Sequence, residues 1–142
     1  MPTFFIDRCL EAKTIRDVLG DSGLDVVYLS DYYGKKLGST VTDVEWMNLC
    51  GQKGWVVLTK DSRIMRNAVE FDAVVRNRLV YFTFSNANMT MAKLAGILTS
   101  QLEAIQRRSK DPGPKIFVIQ ADRIENRTGV IGTDRDPRVR NH

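Results

Sequence analysis

Histidine is almost absent from this chain. The 142-residue sequence contains a single histidine, His142, which is the last residue. Ser-His-Asp and Cys-His catalytic sites and histidine-based zinc sites all need an imidazole in the site. The composition therefore argues against all three, and it predicts that any catalysis here depends on carboxylates.

Cysteine, long apolar runs and glycine-rich phosphate loops are also scarce. Cys9 and Cys50 are too few for a disulfide framework and lack metal-site spacing, so we interpret each as a small buried apolar residue. No apolar run approaches the roughly 20 residues that cross a bilayer, and no signal peptide is recognisable, which predicts a cytoplasmic protein without membrane contact. Without a G-x-G-x-x-G or Walker A loop, dinucleotide-binding and P-loop functions lose their main support.

The rest of the composition is that of an ordinary globular domain with a mildly basic surface. With 142 residues, of which 43% are hydrophobic and 27% charged, the chain can bury the core of one domain. The net charge of +4 serves solubility, and it would also attract a polyanion such as nucleic acid. The charge alone does not separate these two roles.

Apolar runs that are predicted to be strands alternate with segments of helical periodicity. The predicted strands are 3–7, 24–29, 55–58, 79–84 and 115–120. The predicted helices are 11–19, 43–50, 64–78 and 88–108, and segment 30–40 is expected to be irregular. This alternation predicts a three-layer α/β/α sandwich around a mostly parallel sheet of about five strands. The domain is expected to span residues 1–122, and residues 123–142 to form a tail that is mobile or ordered by a partner.

Three acidic side chains are expected to meet at one edge of this sheet. Asp7 ends the first strand, Asp61 follows the third, and Asp43 begins the helix between the second and the third. The carboxyl ends of parallel strands share an edge, and open α/β sheets bind ligands there. If the first and third strands are neighbours, the three carboxylates form a cluster. Asp43 and Glu45 could equally serve as first-turn acids of their helix, where Thr42 and Glu45 fit a capping box.

Such a cluster is expected to hold a cation, because crowded carboxylates repel one another. Oxygen ligands without histidine favour a hard ion, Mg²⁺ or Mn²⁺. An ion of this kind positions a phosphate and activates water for in-line attack. Lys60, Arg63 and Arg66 follow the third strand and are candidates for contact with a polyanion at this edge.

The chain resembles the PIN-domain nucleases at three places, which are Phe4-Phe5-Ile6-Asp7, the helix-opening Asp43 and Thr59-Lys60-Asp61. The branch of VapC-like toxins is the most similar. The resemblance implies a sandwich fold, cleavage of RNA phosphodiester bonds with Mg²⁺ or Mn²⁺ and, for a toxin, a cognate antitoxin as partner. By position it assigns Asp7, Asp43 and Asp61 to metal binding and catalysis.

The resemblance is incomplete, because fuller members of the family carry a further acid for which residues 11–29 offer no clear equivalent. Glu45 is the candidate for a fourth metal ligand; otherwise the site uses three acids. A second hypothesis is a catalytically silent PIN-like module that binds RNA or a protein partner. A third, a receiver-like signalling domain, is disfavoured because Arg8 and not another acid follows Asp7. A homodimer is also left open.

Overall fold

One mixed sheet forms the centre of the fold in the part of the chain that the computed structural model describes, residues 2–86 and 88–128. Its strands are β1 (Thr3–Ile6), β2 (Asp25–Tyr28), β3 (Val56–Leu58), β4 (Val80–Phe84), β5 (Lys115–Ile119) and β6 (Ile124–Asn126). Their spatial order is β2-β1-β3-β4-β5-β6, and neighbours are parallel except for β5 and β6. The prediction of a mostly parallel α/β fold is confirmed, and the pairing of β1 with β3 meets the condition set for the acidic cluster.

Five α-helices of the described residues cover the two faces of the sheet. They are α1 (Lys13–Asp21), α2 (Leu29–Gly38), α3 (Asp43–Lys53), α4 (Ala68–Arg76) and α5 (Met91–Arg108). Helices α1 and α5 contribute to one buried cluster, and α2, α3 and α4 contribute to the other. None of the described helices combines the length and apolarity needed to cross a bilayer.

Alternating residues of the central strands contribute to these two buried clusters. Ile6, Leu58 and Phe82 pack under α1 and α5. Their neighbours Phe5 and Val57 pack under α2, α3 and α4. The residue that follows the last residue of β1 or β3 therefore emerges on the side of the sheet that α3 and α4 cover.

The sheet extends beyond the predicted domain boundary at residue 122. Ile124–Asn126 form a sixth strand that pairs antiparallel with β5, where a mobile or partner-ordered tail was expected from residue 123. The strand has only three residues and a single apolar side chain, Ile124, which is too short a pattern to be recognised in the sequence. The rest of the expected tail, residues 129–142, lies outside the described residues.

Segment 30–40 was expected to be irregular, but most of it belongs to α2. The helix is interrupted at Gly34, whose φ of 82° and ψ of 162° lie outside the helical region. Its first turn is stabilised from a distant part of the chain, since the Glu11 Oε2 accepts from the Ser30 amide (3.0 Å). The sequence hides this helix because the capping group is not local and two glycines weaken its helical propensity.

The helix predicted over 64–78 is in fact two elements. A short 3₁₀ helix, Ser62–Met65, precedes α4, and Asn67 between them has extended backbone angles (φ −108°, ψ 106°). The Asn67 side chain caps α4 by accepting from the Glu70 amide (3.0 Å). This break lets α4 begin afresh at the carboxyl edge of the sheet.

Phe5 should be a major contributor to stability. The residue is 0% exposed, and its ring lies between Trp46 (5.5 Å between centroids) and Trp55 (5.8 Å). We expect Phe5→Ala to lower the free energy of unfolding by about 3–5 kcal/mol, because it leaves a cavity between two rigid indoles. Val75→Ala is the control, since Val75 on α4 is 43% exposed and its loss should cost no more than about 0.5 kcal/mol. Urea unfolding measures both; a Phe5→Ala loss below about 1 kcal/mol would contradict this packing.

Candidate functional site

Two neighbouring strands end side by side, and a threonine hydroxyl joins their ends. Asp7 follows β1 and Thr59 follows β3, and the Asp7 amide continues the ladder by donating to the Leu58 carbonyl (3.2 Å). The Thr59 hydroxyl donates to Asp7 Oδ2 (3.0 Å) and accepts from the Asp61 amide (3.1 Å). Both Thr59 and Asp7 are buried. Thr59 therefore holds the Asp7 carboxylate and the turn that carries Asp61. In the sequence it was recognised only as part of the motif Thr59-Lys60-Asp61.

Asp61 is tied to Arg63, two residues further along the chain. Asp61 Oδ1 accepts from the Arg63 amide (2.9 Å), and Asp61 Oδ2 accepts from the Arg63 Nε (2.8 Å). Burial acts to raise the pKa of Asp61, but the hydrogen bonds and charge of Arg63 outweigh it and lower the pKa. Asp61 is therefore ionised at neutral pH.

Asp43 joins these residues from the first turn of α3. Its Oδ1 accepts from the indole Nε1 of Trp46 (3.1 Å), and its Oδ2 lies 3.6 Å from Arg63 Nη2. Arg63 thus forms ion pairs with both Asp43 and Asp61. The structure brings Asp7, Asp43 and Asp61 to one edge, and it places a guanidinium between the last two.

Arg8 holds the start of α3 against the end of β1. Its Nη2 donates to the Val41 carbonyl (3.1 Å), and its Nη1 donates to the Gly38 carbonyl. Gly38 ends α2, and Val41 lies in the loop that leads from α2 to Asp43. Arg8 therefore ties the end of β1 to the segment that precedes Asp43, a role that a lone arginine after an acid does not reveal in sequence.

Glu45 is engaged in capping its own helix. Its Oε1 accepts from the Thr42 amide (3.2 Å) and the Thr42 hydroxyl (2.9 Å), while the Glu45 amide donates to the Thr42 hydroxyl (3.2 Å). The capping box that was one of two alternatives in the sequence is present, and the side chain is exposed. Glu45 as a metal ligand stays a prediction.

Glu70 is an acid of this edge that the sequence analysis missed. It lies in the first turn of α4 and is 8% exposed, and its carboxylate is within hydrogen-bonding reach of Asp43. Asn67 Nδ2 donates to Glu70 Oε2 (3.1 Å). The available signal was the spacing Asn67-x-x-Glu70 before an apolar run, which is a capping pattern. It was hidden by the prediction of one continuous helix over 64–78.

Two of the acids, Glu70 and Asp7, have raised pKa values. Burial raises the pKa of Glu70, to about 7, and the charges of Asp43 and Asp61 add to this effect. Burial also raises the pKa of Asp7, and the charge of Asp43 contributes, against the hydrogen bond from Thr59. The site is therefore short of positive charge.

The predicted RNA-contacting residues lie on the rim of this edge. Arg63 is committed to the two ion pairs, although its side chain is still 64% exposed. Arg66 is exposed, and its charge contributes to the lowered pKa of Asp61. Lys60 lies between Thr59 and Asp61 and is half-buried. An open depression of about 380 Å³ beside Arg63 and Arg66 gives a polyanion room to approach.

The chemistry of the site fits a hard cation. The donors are carboxylate and hydroxyl oxygens, and the hydroxyl of Thr83 at the end of β4 is buried without a hydrogen-bond partner among the described residues. In the side-chain positions observed, no three His, Cys, Asp or Glu side chains within 2–86 and 88–128 are grouped to hold an ion. Arg63 supplies the positive charge between Asp43 and Asp61 instead.

Cys9 borders the site as a protonated thiol. Its Sγ lies 3.2 Å from Thr59 Oγ1 and 3.5 Å from Asp7 Oδ2. Burial and the charge of Asp7 raise the pKa of Cys9 to about 11, and burial raises that of Cys50 as well. Neither thiol is ionised at neutral pH, in keeping with the non-reactive role expected for both.

Fold and site together define a small α/β protein with an acidic, oxygen-only site at the carboxyl edge of parallel strands. The chain belongs to the PIN-like domain family, because the family described as "PIN like domain" matches residues 2–86. This span contains Asp7, Asp43, Asp61 and Glu70. The resemblance seen in the sequence is confirmed.

A curated protein of Mycobacterium tuberculosis is similar over most of its length. It is named "Putative ribonuclease VapC45" and is 30% identical over 120 residues, which are 84% of this chain and 87% of the relative. No solved structure shows significant similarity to the chain. The similarity extends past the family match and into β5 and its surroundings, since 120 residues exceed the span 2–86.

The raised pKa of Glu70 predicts how stability depends on pH. Its pKa is about 7 in the folded chain against an ordinary value of 4.5, so the folded state binds the extra proton. This contribution is fully present below pH 4.5 and is lost as the pH rises through 7. In chelator, we expect Glu70→Gln to remove up to about 3 kcal/mol of the fall in unfolding free energy between pH 5 and pH 8.

Urea unfolding across that pH range is the measurement, and Asp72→Asn is the matched control because Asp72 is exposed on the same helix. The control should keep the wild-type pH dependence. Equal pH dependence in Glu70→Gln and wild type would contradict the burial of Glu70 beside Asp43.

Proposed function

We propose that this chain is a metal-dependent ribonuclease that cleaves RNA phosphodiester bonds and acts as the toxin of a toxin–antitoxin pair. Membership of the PIN-like family and the ribonuclease name of the Mycobacterium tuberculosis relative support the proposal. The observation that carries it is the convergence of Asp7, Asp43 and Asp61 at the carboxyl edge of adjacent parallel strands.

Asp7, Asp43 and Asp61 would hold Mg²⁺ or Mn²⁺. The bound ion supplies a Lewis acid that positions a phosphate and activates water. The chain's own residues prepare the site for it. Thr59 orients the Asp7 carboxylate, and Trp46 orients that of Asp43 by donating to one oxygen.

Contact between Arg63 and RNA would change the ion pairs that Arg63 makes with Asp43 and Asp61. It pairs with Asp43 and Asp61 in this structure, yet it is exposed enough to turn outward. A phosphate at the rim would compete with these carboxylates for the guanidinium, since Arg binds both in the same forked geometry. Lys60 and Arg66 add positive charge along the same path.

The ion pairs of Arg63 also favour a second candidate function. Because Arg63 compensates Asp43 and Asp61 within the chain, a PIN-like module that binds RNA or a protein without cleaving it would need no metal. An antitoxin partner, a homodimer and a cytoplasmic location stay predictions under both functions.

The nuclease proposal predicts that RNA cleavage depends on the strand-end acids. Wild type should cleave RNA with Mg²⁺ or Mn²⁺ and stop when a chelator is added. Asp7→Asn and Asp61→Asn should each be slower by at least about a hundredfold, because losing a ligand should cost more than losing an outer partner of a metal site. Asp72→Asn, which changes an exposed side chain on α4, should match wild type. Cleavage unaffected by either acid variant would overturn the assignment and favour the silent module.

Positive charge at the rim should govern affinity for RNA. In an Asp7→Asn background, we expect Arg66→Gln to weaken binding of a single-stranded oligonucleotide and to reduce the slope of log K against log salt by about 0.7. Lys53→Gln is the control, because Lys53 ends α3 at the opposite edge of the sheet. Fluorescence anisotropy at several salt concentrations gives both slopes. Equal slopes for the two variants would show that RNA does not contact this rim.

A further inference from the structure

We infer that Glu70 is the fourth acidic residue of the metal site, in the place for which the sequence offered Glu45. The inference rests on the proposed metal-dependent function and concerns which side chains complete it. It follows from the position of Glu70, from its partners and from a buried hydroxyl beside it.

Glu70 reaches the site from a second helix whose first turn lies at the same edge. Asp43 opens α3 and Glu70 lies in the first turn of α4, and both helices pack on the sheet face from which Asp7 emerges. The Glu70 carboxylate is in hydrogen-bonding reach of Asp43, and the charge of Asp61 acts on it as well. The amino termini of α3 and α4 therefore lie at the same group of carboxylates, where the helix dipoles favour negative charge.

The carboxylate of Glu70 is held in place, and the charge of Arg63 only partly offsets the effects that raise its pKa. Asn67 makes two hydrogen bonds to Glu70: its Nδ2 donates to the carboxylate Oε2 (3.1 Å), and its Oδ1 accepts from the Glu70 backbone amide (3.0 Å). Within the described residues no Lys or Arg forms an ion pair with Glu70, and Arg63 is taken up by Asp43 and Asp61. A buried carboxylate without a paired cation is costly unless an ion or a proton joins it.

Thr83 provides an independent sign that a polar ligand belongs in this space. Its hydroxyl is 0% exposed and has no hydrogen-bond partner within the described residues. Thr83 lies two residues after Tyr81, so its side chain leaves β4 on the face that α3 and α4 cover. Thr59 occupies the corresponding place on the adjacent strand, where its amide bonds to the Phe82 carbonyl (3.0 Å). A water of a hydrated ion would give the Thr83 hydroxyl the partner it lacks.

Tyr81 lies on β4, two residues before Thr83. Burial raises its pKa, and the charges of Asp7, Glu70 and Asp61 add to this effect. Tyr81 and Thr83 leave β4 on the face of the sheet that α3 and α4 cover, which is the side from which Asp7 emerges.

Glu45 does not share these features. Its carboxylate is exposed and satisfied by Thr42 within the capping box. Replacing Glu45 should weaken a helix cap and leave the metal site intact.

The test is the affinity of the full chain for Mn²⁺, measured by calorimetry at pH 8. We expect Glu70→Gln to bind Mn²⁺ at least about tenfold more weakly than wild type, because it removes a charged oxygen ligand from the site. Glu45→Gln and Asp72→Asn should stay within about twofold of wild type. Asp7→Asn serves as the positive control for loss of binding, and urea unfolding in chelator verifies that each variant is folded.

The outcomes separate this inference from the proposed function. Wild-type affinity in Glu70→Gln, with binding lost in Asp7→Asn, would overturn the role of Glu70 and leave the metal-dependent nuclease standing. Loss of affinity in Glu45→Gln instead of Glu70→Gln would assign the fourth acid to Glu45 and overturn the inference. Absence of Mn²⁺ binding by the wild-type chain would overturn both.

Discussion

The parallel pairing of β1 with β3 is the constraint on which the site depends. It makes the two strands end at one edge and in one register, so that Asp7 and Thr59 become neighbours. A single hydroxyl then links Asp7 to the amide of Asp61, although 54 residues separate the two acids in the chain. If this register slipped by one residue, each of these side chains would turn to the opposite face of the sheet. The pairing of β1 with β3 therefore brings Asp7 and Asp61 together.

Repulsion between the crowded carboxylates is the second constraint, and nearby positive charge reduces it. Helix amino termini favour the charges of Asp43 and Glu70, and Arg63 pairs with Asp43 and Asp61. This compensation of negative charge is incomplete, because the pKa of Glu70 and that of Asp7 are still raised. A site left short of positive charge in this way is suited to binding a cation.

The elements that the sequence predicted well are those with strong local patterns. The strands at 3–7, 55–58 and 79–84 are continuous apolar runs, and their alternation with helices indicated the parallel sheet. The capping box of Thr42 and Glu45 was visible for the same reason, since both partners lie within one turn. By contrast, α2 depends on the distant carboxylate of Glu11, and β6 is too short to carry a period. Neither could be found without the tertiary contacts that stabilise them.

The sequence by itself indicated the class of fold and pointed to carboxylates, because these depend on composition and on the alternation of strands and helices. It placed Asp7, Asp43 and Asp61 at one edge only on the condition that β1 and β3 are neighbours, and the pairing of these strands meets that condition. Only the tertiary structure decided which other side chains join these acids. Glu70 comes into contact with Asp43 because α4 restarts after Asn67, and Glu45 turns to its own helix end. Arg63 proved to be a partner of the acids and not simply a free cation at the rim. Such choices depend on distances of a few ångströms between segments far apart in the chain, and local sequence patterns carry no information on them.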